Sequence, residues 1–193
     1  MDLPVRMSAG EQALFASTLT KATHYMEFGS GGSTLLAVRS PAKVILSVES
    51  DPAWLRKIEG HPEIAQAVAG QRLFLTLADI GPVGEWGKPT DETRRADWPH
   101  YYIDPFFATD ILFDLILIDG RFRVGCALAA AACAAETATI VIHDYELRSQ
   151  YYLVEKFFDI EATQESLYVL RRRKTINIRS FYMEVMRHLY EHG

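Results

Sequence analysis

The run His24-Tyr25-Met26-Glu27-Phe28-Gly29-Ser30-Gly31-Gly32-Ser33-Thr34 decides how this chain is read: an apolar stretch carries an acid near its end and is followed at once by three glycines within four residues. Glycine reaches positive φ without penalty and lets a ligand approach the main chain. Ser33-Thr34-Leu35-Leu36-Ala37-Val38 predicts a helix next, whose free N–H groups and positive dipole end face the same space. Strand, glycine turn and helix N-terminus in this order predict a site for a nucleotide or nucleoside cofactor.

The alternation continues on both sides of that turn. Ser8 and Glu11 predict a capping box for an opening helix over 8–22, before the first strand at 24–28. Ser33 is expected to cap the helix after the turn and Pro41 to end it. Further strands are expected at 43–48, 72–77, 113–118 and 138–142, with Asp51-Pro52 opening a helix after the second strand. The strands at 113–118 and 138–142 are apolar at nearly every position, as in a parallel sheet covered on both faces. An alanine-rich helix is expected over 124–135 and another helix over 149–158. Segments 159–162 and 167–170 are joined too tightly for a helical crossover and predict an antiparallel hairpin. The fold class is therefore α/β: a doubly wound, mostly parallel seven-stranded Rossmann-like sheet, helices on both faces, with a C-terminal antiparallel β-hairpin.

Two segments depart from the alternation. Residues 79–105 read as a long aromatic loop whose Trp86, Trp98, Tyr101 and Tyr102 could select an acceptor, form a lid, pack on the sheet edge or make a homodimer contact. Residues 176–191 read as an amphipathic helix with Ile178, Phe181, Tyr182, Val185, Met186 and Leu189 on one core-facing stripe.

Composition sets the outer bounds. A length of 193 residues, 49% hydrophobic and 23% charged, fits one globular domain over 1–193. The net charge of −5 gives no global attraction to nucleic acid or to an acidic membrane, and Arg171-Arg172-Arg173-Lys174 reads as a solvated strand end. The apolar runs stop short of a membrane span, and Met1-Asp2-Leu3-Pro4-Val5-Arg6 lacks a basic-then-apolar leader, so a cytoplasmic protein is expected. Cys126 and Cys133 lie about two turns apart on one expected helix, too far to bridge, and read as small hydrophobes.

Ligands in open α/β sheets bind beyond the carboxyl ends of the strands. Glu27, Glu49, Asp79, Asp119 and Asp144 each fall at or just past the end of a different expected strand. A dinucleotide turn requires G-x-G-x-x-G/A, and Thr34 occupies its last place, which disfavours an NAD-dependent oxidoreductase. Glu27-x-Gly29-x-Gly31 instead resembles motif I of the class I S-adenosylmethionine-dependent methyltransferases, and the resemblance extends over about 24–172 in the order of strands and acids.

The resemblance implies S-adenosylmethionine as cofactor. Glu27, Gly29, Ser30, Gly31, Ser33 and Thr34 would form the turn under its methionyl part, Glu49 and Ser50 would take the ribose hydroxyls, Asp79 and Ile80 would meet the adenine, and Asp119 would border the site. A carboxylate accepts two hydrogen bonds from a cis diol, and a neutral glycine turn suits a cofactor without phosphate. The resemblance also implies methyl transfer, here to an unidentified small-molecule acceptor that Asp119, His143 and Asp144 would face; an ordinary pKa near neutrality suits His143 to the part of general base, or it is a histidine hydrogen-bonded at the sheet end. Family members that use Mg²⁺ hold it on equivalent acids followed by Asn. Tyr145 stands in that place here; Asp119 and Asp144 could still hold a hydrated Mg²⁺ without the amide, and no metal ligand is assigned. Arg121 and Arg123 are read either as binding an acceptor carboxylate or phosphate, or as pairing with Asp144 and Glu146. No acceptor motif is present, which leaves a non-catalytic cofactor-binding module of the same fold as the alternative.

Overall fold

Seven strands form where alternation and apolar runs place them: β1 (His24–Phe28), β2 (Val44–Glu49), β3 (Leu73–Leu77), β4 (Leu115–Ile118), β5 (Thr139–Ile142), β6 (Phe158–Gln164) and β7 (Leu167–Arg172). The computed structural model describes residues 3–146 and 148–191, so Met1 and Asp2 of the leader reading lie outside it. The strands make one sheet in the order β3-β2-β1-β4-β5-β7-β6. The first five are paired in parallel, and β7 runs antiparallel to both β5 and β6. Strand order reverses at β1, so its carboxyl end and that of β4 flank the switch point where such sheets bind ligands.

Helices α1 (Ala9–Leu19), α2 (Gly32–Arg39), α3 (Pro52–Glu59), α4 (Pro62–Ala69), α5 (His100–Phe107), α6 (Arg123–Cys133) and α7 (Ile178–Arg187) cover the two faces. Successive side chains of a strand point to opposite faces, which divides the core in two. Met26, Phe28, Leu46, Val48, Ile116 and Ile118 pack towards α5 and α6. Tyr25, Ile45, Leu115 and Leu117 pack towards α1, α2 and α4. The opening helix is capped as its sequence predicts: Ser8 Oγ accepts from Glu11 N at 3.2 Å, and Glu11 Oε2 from Ser8 N at 2.8 Å.

Several expectations are corrected. The cap of α2 is Gly31, not Ser33, because the glycine run lets the helix begin earlier. Its first turn is tied instead by Thr34 Oγ1, which accepts from Gly31 N at 2.9 Å. Residues 79–105 are not one irregular loop. Two single 3₁₀ turns interrupt them, and α5 begins at His100. Trp98, Tyr101 and Tyr102 are core residues, because the crossover from β3 to β4 must cover the face of the sheet that they fill. Trp86 alone of the four stays exposed. Helix α4 escaped the sequence reading, and Ser149–Lys156 is 3₁₀ rather than α. On α7, Phe181 is buried, but Ile178, Tyr182 and Met186 face outwards. Glu184 takes a buried position between them, where Lys156 Nζ lies 2.7 Å from its carboxylate.

The turn after β1 is held by backbone packed directly on backbone. Gly29 has φ +95, and a Cβ there would lie 2.7 Å from Gly120 Cα. Both the dihedral and the clash penalise a side chain. Gly29→Ala is expected to cost about 2 kcal/mol or more in urea unfolding. Wild-type stability in that variant would refute the close packing of the two turns.

Candidate functional site

Glu27 sits beneath the turn. It is fully buried, and the hydroxyls of Tyr25 and Ser47 donate to it at 2.8 and 2.6 Å, with the Thr34 hydroxyl as a third donor. Ser30 Oγ lies 2.6 Å from Ser47 Oγ. Burial pushes the Glu27 carboxyl up from its ordinary value, and hydrogen bonds from Ser47, Thr34, Ser33 and Tyr25 pull it back. Its lone pairs are thus spent on tying β1, β2 and the start of α2 together.

The glycines face in different directions. Gly29 is pressed on Gly120, and a Cβ on Gly32 would lie 2.6 Å from Val5 Cα, so the chain before α1 packs on the turn. At Gly31 a Cβ would meet only the Trp54 ring, at 3.9 Å. Gly31 is the point where the turn opens. Trp54 Nε1 donates to Ser30 O at 2.8 Å, which fixes the indole beside that opening. Sequence reasoning missed Trp54, although the Asp51 cap that sets its place on α3 was legible.

Glu49, buried at the end of β2, accepts from Ser50 N at 2.6 Å and Asp51 N at 2.9 Å on Oε1, and from Ser30 N at 3.1 Å on Oε2. Burial raises its pKa, and the N–H groups of Asp51, Ser50 and Ser30 act against that. Ser50 Oγ donates to Gly87 O at 3.2 Å, so the 83–89 hairpin, closed by the Val83 and Pro89 bridge, folds against this strand end. Trp86 lies in that hairpin with the Arg6 guanidinium 4.6 Å from its ring centre. Glu27, Gly29, Ser30, Gly31, Ser33, Thr34, Glu49 and Ser50 therefore come together. Asp79 is exposed and paired with Arg94, which lowers its pKa, and the Ile80 side chain belongs to the core.

A second cluster gathers beyond β4 and β5. His143 Nδ1 lies 3.0 Å from Asp119 Oδ1, and its Nε2 lies 3.4 Å from Glu11 Oε2. Burial alone would lower the imidazole pKa. The Asp119 hydrogen bond, with the charges of Asp119, Asp144 and Glu11, outweighs burial and raises it. Carboxylates on both ring nitrogens suit the doubly protonated ring. Arg123, also buried, places Nη2 at 3.3 Å from Asp119 Oδ1 and 3.2 Å from Asp144 Oδ2. It also donates to the carbonyls of Asp119 and Gly120 at 3.1 Å each, and to that of His143. Asp144 itself is left-handed, with φ 55, a conformation that such surroundings must impose. Glu11 was legible only as a cap, since its approach to His143 is made by folding.

The ligand atoms of Asp119, His143 and Asp144 all lie within 4.8 Å of one another. These residues nevertheless do not fit Mg²⁺. The ion requires oxygen ligands at about 2.0–2.1 Å and keeps several waters. Here a buried guanidinium already bridges the two carboxylates. The Tyr145 hydroxyl is turned away, 3.0 Å from Glu155 Oε1.

No protein-family model and no curated protein matches the sequence. Solved structures do. A methyltransferase-like protein from Silicibacter pomeroyi superposes with a TM-score of 0.86 at 29% identity, over 98% of each chain. A methyltransferase from Geobacter sulfurreducens gives 0.57 at 12% identity, over 87% of this chain and 79% of its own. An S-adenosylhomocysteine-bound methyltransferase from Podospora anserina gives 0.55 at 14% identity, over 87% and 80%. The chain therefore has the Rossmann-like methyltransferase fold.

Two measurements follow from the second cluster. A histidine with a raised native pKa contributes stability that is complete below its unfolded value of about 6.5 and lost as pH rises through the native value. Wild type should therefore lose stability relative to His143→Gln as pH rises from 6 to 9 in urea titrations, whereas parallel curves would exclude a cationic His143. Added Mg²⁺ should leave the thermal midpoint unchanged, and a dose-dependent rise would reinstate a metal site.

Proposed function

We propose that this chain is an S-adenosylmethionine-dependent methyltransferase acting on a small-molecule acceptor. The observation that carries the reading is the opening at Gly31, walled by Trp54 and adjoining the Ser30 N–H that binds Glu49. A Cβ at Gly31 would intrude where a cofactor's methionyl part passes. Gly29, Ser30 and Gly31 supply the backbone, and Ser33, Thr34 and Glu27 hold it from below. Glu49 Oε2, which accepts one protein N–H, keeps capacity for a ribose hydroxyl, with Ser50 beside it. Asp79 and Ile80 would meet the adenine through main-chain groups, since their side chains are committed elsewhere.

When bound, S-adenosylmethionine supplies an electrophilic methyl group on a sulfonium. The protein's part is then chiefly alignment, which can remove several kcal/mol from a barrier. His143 is held between the carboxylates of Asp119 and Glu11. It positions Asp119, as Arg123 positions Asp144. The partly exposed oxygens of Asp119 and Asp144 are left to receive a proton that the acceptor gives up. That commitment of His143 also favours a second reading, a cofactor-binding module without transfer.

Calorimetry with S-adenosylhomocysteine tests the first step. Wild type should bind, and Glu49→Ala should bind about 10–100-fold more weakly, as expected for hydrogen bonds to a charged group. No binding by wild type, or equal binding by the variant, would remove the cofactor assignment. Transfer of labelled methyl to any member of a small-molecule panel would then decide for the enzyme over the module.

A further inference from the structure

Arg121 follows Asp119-Gly120 at the end of β4 and is only partly exposed. Its Nε is shielded from solvent and has no hydrogen-bond partner among the described residues. The acids that could have paired with it are engaged: Asp144 with Arg123, and Glu146 with the Tyr168 hydroxyl at 2.7 Å. Arg172 Nε, at the end of β7, also lacks a partner among the described residues, whereas Arg123 and Arg72 are satisfied. Arg123 has carbonyls and carboxylates, and Arg72 donates to the carbonyls of Ala42 and Val38 at 2.7 and 2.8 Å.

The neighbours of Arg121 add charge of the same sign. Arg123 and Arg148 stand 6.0 and 5.9 Å from the ring centre of Tyr151. Burial lowers the Arg121 pKa, and both of these guanidiniums act in the same direction. Among the described residues neither Arg121 nor Arg148 has a carboxylate within ion-pair distance. Helix α6 begins just after Arg121, and its cap, Phe122 at φ 54, makes no side-chain bond to the first turn. Free N–H groups and the positive end of the helix dipole thus add to the same side. A half-buried cation among cations costs stability unless a counter-charge is supplied.

We propose that the acceptor bears an oxyanion, a carboxylate or a phosphate, and that Arg121 and Arg148 receive it beside Asp119 and Asp144. The proposal rests on the methyltransferase reading for the word acceptor, and the site itself rests on the geometry. The planar fork of a guanidinium matches either oxyanion bidentately. Such a contact would anchor the acceptor at its charged end and leave another atom free for the methyl group.

The test uses the full chain saturated with S-adenosylhomocysteine, with inorganic phosphate and benzoate as probes. Thermal midpoints and the arginine Nε–Hε resonances are followed for wild type, Arg121→Gln and Arg148→Gln. At least one probe should raise the wild-type midpoint and shift the Arg121 resonance, which also tells phosphate from carboxylate. Each variant should bind that probe at least tenfold more weakly, with S-adenosylhomocysteine affinity unchanged and the ligand-free midpoint of Arg121→Gln no lower than wild type. A probe bound equally by wild type and Arg121→Gln, neither probe bound by wild type, or a lowered midpoint or failure to fold in Arg121→Gln would each overturn the proposal. Failure of wild type to bind S-adenosylhomocysteine would strike the cofactor reading instead, and the anion shifts, read without it, would still decide the site.

Discussion

The buried carboxylate of Glu27 is the constraint on which the opening of this fold depends. An ionised group withdrawn from water is costly unless hydrogen bonds replace its hydration. Tyr25, Ser47 and Thr34 provide them, and each comes from a different part of the structure: the same strand, the adjacent strand and the helix beyond the turn. Satisfying one acid therefore fixes three elements together. The main chain of Gly29 to Gly31, strung between those anchors, has little freedom left. Its shape is set before any ligand arrives, which is the condition for binding without a large ordering cost.

The ends of β4 and β5 are organised by a different principle. Around Asp119 and Asp144 the carboxylates lie against the buried His143 imidazole and the Arg123 guanidinium rather than against hydroxyls. Around Glu27, hydroxyls hold a backbone shape. Around Asp119 and Asp144, charge pairs orient side chains. Gly29 and Gly120, packed against each other, join the two regions at the switch point, so movement of either turn must be felt by the other.

The sheet was legible because its signals are local and repeated. Apolar runs of strand length, capping residues at Ser8 and Asp51 and the acids after each strand place both ends of β1, β2, β3 and β4 and the starts of α1 and α3 within two residues. Residues 79–105 were read wrongly because Gly81, Pro82, Gly84, Gly87, Pro89 and Pro99 outweigh the short helical stretch that follows them. Proline just before a helix is an opening signal as much as a break. The aromatic side chains there fit a ligand surface and packing on the sheet equally well by sequence, and the face of the sheet that needed covering takes Trp98, Tyr101 and Tyr102. Helix α7 failed for the reverse reason: its periodicity was right, but a stripe has no orientation until a neighbour is known, and ion pairs of Glu184 chose the other side.

The site follows the same division. Residues joined to the turn by sequence, Gly29 to Thr34, and the acids at strand ends were named before their contacts could be. What sequence could not show is which acids are spent. Glu27 and Asp79 look alike as strand-end carboxylates, yet one is sealed under the turn and the other is held in solvent by Arg94. Likewise Arg121 and Arg123 are indistinguishable as a basic pair around Phe122. Folding gives one of them every available acceptor and leaves the other with none among the described residues. Pairing across the sheet thus decides which charges remain free for a ligand, and a list of charged positions cannot contain that information.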